Sequence, residues 1–120
     1  MLPPVGIDER SSAFFEDVIR FIRTIGAAPG TTRLIEQLVS SSGSIPANRG
    51  EATSASSKKE FIRYNKIALR SSKESTVWLR GCLAGEWGNQ DDCRRLVDES
   101  QQITRILGKI IVRAQRNPDP

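Results

Sequence analysis

The sequence predicts an all-α fold, an antiparallel up-down-up-down four-helix bundle of left-handed type, and three observations predict it. Apolar residues recur in steps of three and four through four separate segments. Glycine, proline, asparagine and serine clusters divide those segments into helices of ordinary length. No stretch alternates polar and apolar residues for long enough to read as a strand, and no solenoid-length repeat recurs. At 120 residues the chain fits one domain spanning its whole length, because a chain of this size can bury roughly two-thirds of its unfolded surface in one core.

The first helix is expected over about 8–25, where Phe14, Phe15, Val18, Ile19, Phe21, Ile22 and Ile25 form one wide apolar face. Gly26, Pro29 and Gly30 mark a turn, after which the hydroxyl of Thr31 or Thr32 offers a cap for the second helix. That helix, expected over about 31–49, buries Leu34, Ile35, Leu38 and Val39, and Pro46 removes one backbone donor and should kink or fray its later part. The small polar residues from Gly50 to Ser57 then read as the one mobile connection.

Ser57 with Glu60 three residues on forms a capping box, opening the third helix at about 57–85. Its inward stripe is Phe61, Tyr64, Asn65, Ala68, Ser71, Ser72, Ser75, Trp78, Leu79 and Cys82. The central members are small, which lets a neighbouring helix approach closely. Gly85, Gly88 and Asn89 break the chain again. Asp91 and Asp92 then favour a helix start through the macrodipole, and the fourth helix is expected over about 91–116. Its stripe runs from Cys93 and Leu96 through Ile103 and Leu107 to Ile111 and Ala114, with Arg113 and Arg116 suited to the last turn and Asn117 and Pro118 ending it.

Composition narrows the function. Histidine is absent, which removes the commonest general base and the commonest zinc ligand, so hydrolase and metalloenzyme readings weaken and no enzyme, metal or cofactor is expected. Cys82 and Cys93 are too few for a disulfide scaffold and read as small buried thiols. The N-terminal residues resemble no secretion signal and no apolar run is long enough to span a bilayer, so a cytoplasmic protein with no membrane partner is expected. The net charge of +4 hints at an anionic partner.

The distribution of that charge is more informative than its sum. Lys59, Arg63, Lys66, Arg70, Lys73 and Arg80 are separated by 4, 3, 4, 3 and 7, the period of the core stripe beside them, and Lys58 adjoins them. They occupy an arc roughly opposite Phe61, Ala68, Ser72 and Leu79, with Glu74 only at its edge. An ordinary solvated face would look similar, but so few acidic partners leave like charges repelling one another, which a phosphate backbone of RNA or DNA would relieve. The aromatic residues fall on or beside the core stripe, so recognition by charge and shape is expected, without base stacking. Phe15, Ile19 and Ile22 on the first helix and Ile106 and Val112 on the fourth widen the apolar faces beyond what one bundle needs, which suggests an oligomer interface.

Three patches carry a family likeness: Ser42 to Ala52 (SGSIPANRGEA), Ser57 to Arg63 (SKKEFIR) and Glu74 to Leu79 (ESTVWL). In order and spacing they resemble the four-helix bundle proteins known as 23S rRNA-intervening sequence proteins, over roughly Phe14 to Arg116. The resemblance implies a ring-like homopentamer without established enzymatic activity. On it Asn48, Glu51, Glu74 and Trp78 match family positions, and Asn48 with Glu51, one turn apart, is expected to brace a helix end or an interface. Gly50 and the extra residue around Gly88 and Asn89 depart from the pattern. The stretch Arg105-Ile106-Leu107-Gly108 is also similar to accessory proteins of diversity-generating retroelements, which implies as alternatives a reverse transcriptase partner with nucleic acid, or a structural module meeting an acidic protein.

Overall fold

The structure, a computed structural model, describes residues 6–117. Four helices, α1 (Ile7–Ile22), α2 (Thr31–Thr53), α3 (Lys58–Ala84) and α4 (Gln90–Arg116), run up and down in chain order. Each packs on two neighbours: α1 and α3 both lie against α2 and α4, while the diagonal pairs do not meet. This is the expected four-helix bundle.

In α1 the residues Ser11, Phe14, Val18 and Phe21 are buried at steps of three and four, and Asp8 and Glu9 complement the dipole at its start. The helix stops at Ile22, three residues before the expected Ile25. Thr24 causes this: its amide (2.8 Å) and its hydroxyl (2.6 Å) both donate to the Phe21 carbonyl, closing the turn. The same hydroxyl accepts from the Asn89 amide at 2.9 Å, tying the end of α1 to the α3–α4 turn. Gly88 in that turn sits at φ +78°, and a Cβ there would lie 2.9–3.0 Å from Phe21, Thr24 and Ile25, so close approach and backbone sign both demand glycine.

At the start of α2 neither threonine caps the helix. Gly30, at φ 88°, takes the cap position, and the buried Thr31 hydroxyl turns back to bond the amide and carbonyl of Ala28. Nor does Pro46 end the helix, which continues to Thr53. Anchors on both sides of the proline hold it: Ile45 and Ala52 are buried in the core and Arg49 is fastened to two other helices. The connection before α3 is therefore only 54–57, shorter than the expected mobile segment. Ser57 caps α3 as expected, accepting from the Glu60 amide at 3.1 Å, but the Glu60 carboxylate reaches Ser56 rather than Ser57.

Small residues dominate the seams of α3. Ser75 and Ser41 share a hydrogen bond at 2.9 Å and Ser71 donates to Ser44 at 2.8 Å across to α2. On the other side Ser72 pairs with Thr104 at 2.7 Å and Thr76 with Ser100 at 2.6 Å. Side chains this short let the backbones approach, and each hydroxyl removed from water keeps a partner. The opening of α4 follows the sequence too, with Asp91 and Asp92 in its first turn and Asn89 accepting from the Asp92 amide at 2.9 Å. Asn117 ends α4; Pro118, expected to help, lies outside the described residues.

Candidate functional site

The rhythm of α3 puts Ala68, Ser72, Leu79 and Cys82 fully inside the bundle, and this fixes what faces outward. Lys59, Arg63, Lys66, Arg70, Lys73 and Arg80 are all exposed along that outward face. Among the described residues none of the six joins an ion pair; acids and bases that do pair are elsewhere, Arg20 with Asp17, Arg94 with Asp91 and Arg95 with Asp92. Arg63 lies over the ring of Tyr64, 4.4 Å from its centroid, covering a face that a base would otherwise reach. Lys58 departs from the expectation. It is half-buried and its Nζ donates to the Asn117 carbonyl, so it closes the α3–α4 end rather than extending the ridge.

The remaining expected positions scatter over the bundle. Asn48 braces its own helix, donating to the carbonyl (2.8 Å) and the hydroxyl (3.0 Å) of Ser44, while Glu51 is exposed. Trp78 packs against the core and its Nε1–H points at the Glu74 carboxylate, 3.4 Å away. Of the five apolar positions, Phe15, Ile19, Ile22 and Ile106 are half-buried, Phe15 lying close against Gly43 of α2. Only Val112 is substantially open, at 44%; Val77, at 59% and between Lys73 and Arg80, is more open still and escaped the sequence reading.

Three further features were missed. Arg49 is a buried cation, 7% exposed, whose Nε donates to Asp8 (2.9 Å) and whose Nη1 donates to the buried Asn65 (2.7 Å), joining α1, α2 and α3. Arg10 grips Glu99 at 2.5 Å and 3.0 Å, closing α1 on α4. A second run of exposed cations, Arg105, Lys109, Arg113 and Arg116, follows α4 at spacings of 4, 4 and 3, the same signal that marked α3.

Cys82 and Cys93 face one another inside the bundle, both reduced, with the Cys93 thiol donating to the Leu79 carbonyl at 3.2 Å. Bonding to Cys93 and burial push the Cys82 thiol far up from its ordinary range. Among the described residues no cluster of three potential ligands gathers for a metal, and no helix is long and apolar enough to cross a membrane. The surface therefore offers charge, hydroxyls and shape.

No curated protein matches the chain. A solved structure does: a protein of unknown function from the S23 ribosomal protein family of Bacteroides thetaiotaomicron, 24% identical, superposes with a TM-score of 0.77 over 88% of this chain and 98% of that one. That similarity speaks for the fold. The family model described as 23S rRNA-intervening sequence protein matches residues 6–109, starting earlier and ending sooner than the span of the sequence likeness. With four helices in the right order and the family model covering most of its length, the chain belongs to the 23S rRNA-intervening sequence protein family.

Proposed function

We propose that this protein is a non-enzymatic, homo-oligomeric bundle that binds nucleic acid, RNA in preference, through the outward ridge of α3. One observation carries the reading: six exposed cations keep helical register along α3 and none has an acidic partner among the described residues. Like charges so arranged repel, and a polyanion relieves that repulsion while releasing its own counterions. Val77 and Val112 are the exposed apolar side chains best placed to support self-association.

The test is the salt dependence of RNA binding followed by fluorescence anisotropy. If all six cations neutralise phosphates, log K should fall against log salt with a slope of about −4 on a single strand. Replacing Lys66, Arg70 and Lys73 with Ala should reduce that slope by about 2. An unchanged affinity and slope would overturn the reading and leave the ridge to an acidic protein partner.

A further inference from the structure

The cations of this molecule are segregated by helix. α3 carries seven basic and two acidic residues, net +5, and α4 six and four, net +2, whereas α1 carries two and four, net −2, and α2 is neutral. Within α4 the charge is segregated again: its acids all precede Ser100, and the half that follows holds only Arg105, Lys109, Arg113 and Arg116. The two acids nearest that half are engaged elsewhere, Glu99 by Arg10 and Asp98 by Gln102.

The antiparallel pairing of α3 and α4 sets this half of α4 beside the basic half of α3. Ser72 opposite Thr104 and Thr76 opposite Ser100 fix the register, and Lys58 on the Asn117 carbonyl fixes the end. Lys59 to Lys73 thus runs alongside Arg105 to Arg116, two rows of about 21 and 17 Å at the α-helical rise, one interhelix spacing of about 8–10 Å apart. Between them lies a groove of about 350 Å³ lined by Lys73, Thr76, Gln101, Thr104 and Arg105, with a cation from each helix on its rim and no carboxylate in its wall.

We infer that the polyanion site is a plate made by both helices, on which a double-helical RNA segment lies with the α3 row serving one phosphate strand, the α4 row the other, and the Lys73–Arg105 groove seating a phosphate. This rests on the nucleic-acid reading given above and names the residues and the form of RNA. Two rows match two strands better than one. A single strand held by stacking would need open aromatic faces, but Phe61, Tyr64 and Trp78 are half-buried and Arg63 covers Tyr64. Helical RNA is recognised through shape and phosphates, which hydroxyls, an amide and guanidinium groups supply here.

The experiment compares four proteins on a labelled 20-bp RNA duplex and on (U)20: the wild type, R105Q/K109Q/R116Q, K66A/R70A/K73A, and the control R20Q/R94Q/R95Q, which deletes three cations that are already paired. The α4 variant is expected to reduce the duplex salt slope by about 2–3, as the α3 variant does. The control should leave it nearly unchanged, and the wild type should bind the duplex at least tenfold tighter than (U)20. If the α3 variant lowers the slope and the α4 variant does not, the two-helix plate is wrong while the α3 reading stands. Equal loss in the control would reduce the effect to net charge and overturn the plate, and (U)20 binding as tightly as the duplex would overturn the two-strand seating. If the wild type binds neither RNA, the underlying nucleic-acid reading fails and this one with it.

Discussion

Replacing Arg49 with Met tests whether the buried cation is a structural keystone. Its side chain is 8% exposed and bridges Asp8, which is 57% exposed, to the fully buried Asn65. Methionine fills most of the same volume, so the cavity cost is small, and Asp8 returns to water at little loss. Asn65 is the group that suffers: its amide still donates to the Phe61 carbonyl at 2.9 Å, but its oxygen loses its only donor inside the bundle. A stranded buried acceptor costs about 1–3 kcal/mol, and a lost charge-assisted bond brings the expected destabilisation to about 2–4 kcal/mol. Urea unfolding followed by circular dichroism measures it. With an m-value of about 1–2 kcal/mol/M for a chain of this size, the midpoint should drop by roughly 2 M. The double variant Arg49→Met, Asn65→Leu removes donor and acceptor together and should recover at least half of the loss, since apolar replacement of both partners is close to neutral. A single variant within about 0.5 kcal/mol of wild type would refute the reasoning, because that is the scale of an ordinary surface substitution.

Other consequences are read by standard stability and mass measurements. Gly88→Ala should cost about 2–3 kcal/mol, combining a positive φ with a Cβ pressed on Phe21, Thr24 and Ile25; a thermal midpoint unchanged from wild type would contradict the tight turn described above. Burial and the Cys93 bond hold the Cys82 proton in the folded chain where the unfolded chain releases it, so stability is fully present below the ordinary thiol value of 9.0 and declines as pH rises beyond it. Denaturant titrations of wild type and Cys82→Ala between pH 7 and 10 should therefore differ in their alkaline limbs, and parallel curves would deny the shift. Val112→Asp, at an exposed position on α4, should lower the mass measured by light scattering if that face joins copies of the chain; an unchanged mass assigns self-association to another surface.

Much of the architecture was legible because helices announce themselves by period, and each of the four segments kept its rhythm. The errors fell where one residue's context overrode its type. Pro46 usually stops a helix, yet Ile45, Arg49 and Ala52 anchor both sides of it, so tertiary contacts carry α2 onward. Thr31 has the right side chain for a cap but spends it on Ala28. The ridge on α3 could be read directly, since exposure of Lys59 to Arg80 follows from burial of the stripe opposite. The fastening of Lys58 and the burial of Arg49 could not, because both depend on partners far away in sequence: Asn117 for one, Asp8 and Asn65 for the other. The α4 row was readable by the same spacing rule and was obscured by the helix-capping role that also suits Arg113 and Arg116.

The serine-rich seams explain why the basic rows can lie side by side at all. A purely apolar seam tolerates sliding by a turn, since one leucine replaces another at little cost. Hydroxyl pairs do not. A one-turn slip of α3 on α4 would separate Ser72 from Thr104 and Thr76 from Ser100, stranding up to four buried or half-buried hydroxyls at about 1–3 kcal/mol for each one left unpaired. That sum rivals the whole stability of a small domain, so the register is locked. The same lock holds Lys73 level with Arg105 across the groove. The polar residues inside the bundle thereby set the positions of the charged residues outside it, which is how a core poor in bulky side chains on α3 serves the surface that α3 presents.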